Sequence, residues 1–181
     1  VNGMSYHDRA GRNSNTALIT TVTPEDFPSD SPLAGLEFQR KYEELAYKIG
    51  KGKIPVQLFG DFKKNQVSTK LGAVTPLIKG DWQFANLHEC LPDYVCASII
   101  EGMEVFGHKI KGYDAEDTVF SGVETRTSSP IRMERDKQFE SNISGLFPCG
   151  EGAGYAGGIT SAAMDGIKTA EAIAEKILTQ N

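Results

Sequence analysis

Cysteine is scarce in this sequence, and what there is has no partner pattern. The three cysteines, Cys90, Cys96 and Cys149, are odd in number and show neither C-x-x-C nor a zinc-ligand spacing. A disulfide framework and a structural metal site are therefore not expected, and free thiols in a reducing compartment are. Long apolar runs are missing too: none approaches the ~18 residues of a membrane-spanning helix. The opening residues, Val1 to His7, are neither basic nor apolar enough for a secretory signal. The expectation is a soluble cytoplasmic protein with no membrane partner. Basic charge is the third shortage, with 19 Lys and Arg against 24 Asp and Glu and a net charge of −5. The denser basic stretches, around 48–53 and 63–64, read as solvated faces, so nucleic acid is not an expected partner.

What remains, 39% hydrophobic and 24% charged over 181 residues, suits one globular domain, or one domain and part of another. Glycine is not scarce, and five glycines gather in one place: Gly150, Gly152, Gly154, Gly157 and Gly158. An apolar strand candidate, 145–149, precedes them. A helical run to Leu178 follows, with Ile159, Ala162, Ala163, Gly166, Ile167, Ala170, Ile173, Ala174 and Ile177 expected on one face. A strand, a bare turn and a helix start bring unpaired N–H groups and a positive dipole end to one point, where an anionic or polar cofactor can sit. Gly152 to Gly157 also matches the dinucleotide string G-x-G-x-x-G. That fingerprint needs a second strand ending in an acid about twenty residues on, and here Glu171 and Glu175 fall inside the helix.

Leu146-Phe-Pro-Cys-Gly-Glu151, the glycines and the Ala-rich helix together resemble the C-terminal flavin motif of two-domain FAD oxidoreductases. The resemblance is closest to a family of bacterial FAD-dependent dehydrogenases and covers nearly the whole chain. It includes Pro32-Leu-Ala-Gly-Leu-Glu-Phe-Gln-Arg40, Glu89-Cys-Leu-Pro-Asp-Tyr-Val95 and Glu124-Thr-Arg-Thr-Ser-Ser-Pro-Ile-Arg132. It implies that Glu151 meets the ribityl chain of FAD and that Gly157, Gly158 and Ile159 lie against the flavin ring, with Gly150, Gly152 and Gly154 shaping the turn. A helix N-terminus stabilises the negative charge of reduced flavin. At Gly157 and Gly158 a side chain is expected to intrude on the ring or to block a φ > 0 conformation. The glycine-rich pyrophosphate-binding segment with which such enzymes begin is absent, so the chain resembles the C-terminal portion of a larger flavoprotein.

Elsewhere the reading is coarser. His7, Arg9, Arg12, Asn13 and Asn15 form a polar stretch that either faces a substrate or is a solvated loop. His7 can act as an acid or base, and the resemblance raises His7 and Arg9 above the rest. Residues 16–22 read as a strand. Ser31 and Pro32 start a helix to Ile49 with Phe38, Tyr42, Leu45 and Ile49 inward, closed by Gly50. Residues 54–59 form a strand candidate, and 60–84 show no sustained period, as a lid, a binding loop, a disordered segment or, in a fragment, a segment packed on the missing portion would. A turn at 86–91 leads to a second helix from Pro92 to Phe106, with Val95, Ile99, Met103 and Phe106 inward and Gly107 as its stop. His88 and His108 read as structural. Residues 119–127 alternate as a strand into Arg126-Thr-Ser-Ser-Pro-Ile-Arg132. There Arg126, Ser128, Ser129 and Arg132 either grip an acidic substrate or form a surface turn.

The fold expected is α/β with the character of an α+β fragment. Residues 1–130 are a mixed substrate-side portion. Residues 131–181 are the strand, turn and helix that the resemblance assigns to a Rossmann-like FAD domain. The function implied is that of an FAD-dependent oxidoreductase fragment acting on a small-molecule substrate, with His7 and Arg126 as the catalytic candidates. Its partner is the N-terminal FAD-binding part of the same protein. A non-catalytic module that keeps the motif as a packing turn is the alternative. The buried acid expected at Glu151 discriminates between them, since burial demands a partner. A flavoprotein acting on tRNA is a third reading, opposed by the acidic charge.

Overall fold

The computed structural model describes residues 6–8 and 10–179. Contacts divide the chain into two units, one of residues 1–26 and 40–125, the other of residues 27–39 and 126–181.

The first unit is built on a three-stranded sheet in the order β2-β1-β3. β1 (Ile54–Leu58) is central, parallel to β2 (Trp82–Phe84) and antiparallel to β3 (Val119–Ser121). The register pairs Val56 with Phe84 on one side and with Ser121 on the other. Two parallel neighbours need a crossover of a dozen residues or more, and this is what the aperiodic stretch after β1 supplies. It opens with the short helix α2 (Phe59–Lys63) and ends in β2, so only 64–81 is irregular. Ser68 in that stretch is buried; its hydroxyl accepts from Leu58 N at 2.8 Å and donates to Asp61 Oδ2 at 2.6 Å.

The core lies between the sheet and α3 (Asp93–Lys109), with Phe59, Phe62, Leu87, Cys90, Cys96 and Met103 buried. Phe120 packs on both Phe59 and Phe62, at 5.6 and 5.2 Å between ring centres. Gln57, a fully buried amide, has its bonds met: Nε2 donates to Gln66 O and Asn86 Oδ1, and Oε1 accepts from Leu87 N. His88 is structural as expected, its Nε2 2.9 Å from Phe62 O. Burial pushes the Cys90 thiol up to about 12 and the Cys96 thiol up to about 11, which leaves neither available as a thiolate.

Several local expectations are corrected. Residues 16–22 form no strand; β-branched residues need a ladder partner, and none is provided there. β3 is three residues long, not nine. α1 (Ala34–Ile49) starts two residues after Pro32, with Ser31 accepting from Leu33 N. Its end is turned by Lys51 and Gly52, which hold the positive φ values. Gly50 is needed for another reason: a Cβ there would stand 2.1 Å from Lys53 O. α3 likewise runs past Gly107, where a Cβ would meet the Asp114 carboxyl at 2.2 Å, and Phe106 is exposed rather than inward.

The second unit contains α4 (Ile159–Thr179), the irregular stretch before it, and the start of α1. Residues 145–149 are not a strand, so only the turn and the helix of the expected strand–turn–helix form. The face expected for α4 is divided: Ala162, Gly166 and Ile173 of its nine positions are shielded, and the other six are exposed. Ala162, Asp165, Gly166, Thr169, Ala172, Ile173 and Lys176 are the shielded positions. Ile159, Ala163, Ile167, Ala170, Ala174 and Ile177, in steps of four, four, three, four and three, are exposed. Within α4, a Cβ added at Gly166 would meet nothing within 4 Å. Gly166→Ala should therefore stabilise the chain by up to ~1 kcal/mol through helix propensity alone, read as a rise in denaturant midpoint at constant slope.

Candidate functional site

The glycine-rich turn is seated by a cluster within its own unit. Arg135 donates from Nη1 to Pro148 O (2.8 Å) and to Asp165 Oδ2 (2.9 Å), and from Nη2 to Asp165 Oδ1 (2.6 Å). Asp165 Oδ2 also accepts from Gly150 N at 2.8 Å. One fork thus ties the segment before the turn, the first glycine and α4 together, with the arginine and aspartate side chains only 9% and 13% exposed. The Arg135 hydrogen bond, helped by Gly150 N–H, holds the Asp165 carboxyl below the usual aspartate range. A second tie joins Lys176 to Glu140, whose Oε1 also accepts from Gly145 N at 2.7 Å. That backbone bond first, and Lys176 second, holds Glu140 below its ordinary range.

Residues 129–133 run beside the turn. Ser129 Oγ donates to Ile131 O at 2.8 Å and lies 3.1 Å from Gly152 O. Met133 N donates to Ala153 O, and Tyr155 OH donates to Met133 O. The guanidinium groups of Arg132 and Arg135 lie 4.3 and 3.6 Å from the Tyr155 ring centre, a cation–π arrangement. The approach is tight enough to decide Gly154, which has φ +81 and would place a Cβ 2.5 Å from Ile131 O. The loop before it is held at Pro130, packed where a Cβ on Gly35 would come within 2.6 Å, and at Ser128 O, which accepts from Gln39 Nε2 at 3.4 Å.

The five glycines therefore divide. Gly150, at φ +69, and Gly154 are set by their own backbone and neighbours. Gly152, Gly157 and Gly158 have no positive φ, contrary to the sequence expectation for the last two. A Cβ on Gly152 or Gly157 meets nothing within 4 Å, and one on Gly158 meets only Ser161 Oγ at an ordinary 3.4 Å. Gly158 also caps α4: its carbonyl accepts from Ala162 N, and its N–H donates to Ser161 Oγ. The N–H groups of the next three residues then have no intrahelical carbonyl to reach, as at any helix start. Ile159, beside them, is 93% exposed. Glu151 is exposed, not buried, so the cost of a buried acid does not separate the two readings of the turn.

Of the substrate-side candidates, Ser129 and Arg132 are brought to the turn. Arg126 and Ser128 are exposed on the same loop. His7 is exposed in the first unit, and Arg9 lies outside the described residues. Sequence reasoning missed Arg135, Asp165, Tyr155 and the Glu140–Lys176 pair. A signal for part of this was present: Asp165, Thr169, Ala172 and Lys176 recur at helical spacing on a face of their own. Among the described residues no group of His, Cys, Asp and Glu is placed to hold a metal, and no helix is long and apolar enough to cross a membrane.

The family model described as FAD-dependent protein, C-terminal domain-like matches residues 1–127. That match ends before the glycine-rich turn. An uncharacterized protein of Clostridium beijerinckii is 58% identical over 178 residues, 97% of this chain, and so extends through the turn. The chain spans about a third (33%) of the length of that curated relative.

Proposed function

The chain belongs to the FAD-dependent protein, C-terminal domain-like family, and from that premise we propose that it is part of a longer flavoprotein oxidoreductase and lines the flavin end of its cofactor site. One observation carries the reading. Gly152, Gly157 and Gly158 are glycines that neither their own backbone nor their neighbours require. A bare surface kept bare without an internal reason suits close approach by something outside the chain. It adjoins a helix start, which favours an anion, and the exposed carboxylate of Glu151, which suits a polyol.

FAD fits these residues: Glu151 would hold the ribityl hydroxyls, and Gly157, Gly158 and Ile159 would border the ring. When bound, the cofactor supplies hydride acceptance at N5. The chain's own part is to orient and to exclude water. The first N–H groups of α4 favour negative charge at the ring edge, and the Arg135–Asp165 fork holds the turn in place for them. Arg126 and Arg132, with Ser128 and Ser129, form a cationic, hydroxyl-lined loop suited to a carboxylate-bearing small molecule.

The test is the longer polypeptide as purified. Flavin absorbance, with FAD identified by mass spectrometry after release, is the expected outcome. A colourless protein that takes up no added FAD overturns the proposal. Once a carboxylate substrate is found by screening, Arg126→Ala should lower kcat/KM for flavin reduction by about tenfold to a hundredfold, the worth of one charge-assisted hydrogen bond, at unchanged flavin content. Loss of flavin instead would place Arg126 in the cofactor site or the fold. The packing-turn alternative has its own support, since Gly150 and Gly154 are structural, and the glycine substitution discussed below separates the two.

A further inference from the structure

α4 presents three faces. One packs within its own unit through Ala162, Asp165, Thr169, Ala172, Ile173 and Lys176, polar and apolar positions together, with Asp165 and Lys176 paired to Arg135 and Glu140. A second carries Lys168, Glu171 and Glu175 and is solvated. The third is the apolar stripe from Ile159 to Ile177, which bears no charge along five turns. Ile159, Ile167 and Ile177 on it are 93%, 60% and 56% exposed, and Leu178 at its end is 76% exposed. An amphipathic helix normally turns its apolar stripe toward a core, and a contiguous apolar surface of this extent on a soluble protein marks an interface. Here the helix meets its own chain with a mixed face, in which Ile173 is the one large apolar residue, and leaves Ile159, Ile167 and Ile177 outside.

We propose that this stripe is the docking surface for the part of the longer polypeptide that lies outside these 181 residues, with an apolar face of that part as the occupant. The chain matches its relative at 58% identity yet accounts for 33% of that relative's length, so two-thirds of such a polypeptide is available to cover it. The stripe begins at Ile159, directly beside the bare glycines. The same docking would therefore close one side of the glycine-rich turn and complete the site there. The proposal rests on the reading of the chain as a segment of a longer protein, and it stands or falls separately from the identity of the cofactor.

The experiment uses that longer polypeptide. Ile167→Cys and, on the solvated face, Glu175→Cys are treated with a maleimide, and labelling is mapped by peptide mass spectrometry. A diazirine analogue of leucine, incorporated into the otherwise natural sequence, reports through Leu178 which peptide lies against the stripe. Labelling at position 167 should be slower than at 175 by about tenfold or more, as burial behind a cooperative opening requires. Crosslinks from Leu178 should lead to sequence outside residues 1–181. Equal labelling at the two positions overturns the proposal. Crosslinks confined to residues 1–181, whether within one chain or between two copies, overturn it as well. Flavin content is read alongside: a protected stripe in a protein that binds no flavin would defeat the cofactor reading and leave this one intact.

Discussion

Gly158→Val in the longer polypeptide should yield folded protein with little flavin. The position has no positive φ, and its only neighbour within 4 Å of an added Cβ is a flexible serine hydroxyl at ordinary contact distance. A valine is a poorer helix cap than glycine and costs the fold about 1 kcal/mol. Its larger cost falls on whatever approaches from outside, and an aromatic ring at van der Waals distance cannot share that space. The flavin-to-protein ratio at limiting FAD should fall by about tenfold or more, equivalent to ~1.4 kcal/mol or more of binding. The melting temperature of the flavin-free protein should fall by no more than about 4 °C, as the loss of one helix cap allows. Gly166→Ala is the matched control and should keep full flavin. A packing turn predicts otherwise, with stability lost and flavin retained in proportion to folded protein. Equal flavin in the two variants would favour the packing turn.

Asp165→Ala is expected to act on the fold itself. It leaves the Arg135 guanidinium, a largely buried cation, with Pro148 O and the Tyr155 and Phe139 rings but no anion, and it strips Gly150 N–H of its acceptor. Removing one partner of a fully buried pair costs ~3–5 kcal/mol. This pair keeps some solvent, so about 2 kcal/mol is the expected loss, read as a lower urea midpoint. Asp165→Asn keeps an oxygen for Gly150 and should lose less. The pH dependence follows from the sign of the shift. The folded-state carboxyl is held below its unfolded value, chiefly by Arg135. Its contribution is therefore complete above the ordinary aspartate range and disappears as pH falls through the lower folded value. The gap between the unsubstituted chain and Asp165→Ala should thus be constant near neutrality and narrow on acidification. A gap independent of pH would show that the carboxylate charge contributes nothing.

The positions of α1, α3, α4 and β1 were legible in the sequence because each follows from local periodicity and needs no knowledge of its neighbours. So was the glycine-rich turn before a helix start, and with it the resemblance to flavoproteins. What periodicity cannot state is direction. The apolar stripe of α4 was readable, but whether it faces this chain's own core depends on what else packs there, and the structure turns most of it outward. Residues 16–22 have strand-forming side chains and lack a ladder, a property of another segment. The five glycines look alike in the sequence. Only the tertiary structure separates Gly154, where an added Cβ would run into Ile131 O, from Gly157, where it would meet nothing within 4 Å. The Arg135–Asp165 fork lay out of reach for the same reason. Its partners are 30 residues apart, and a salt bridge over that separation exists only once the chain between them has folded.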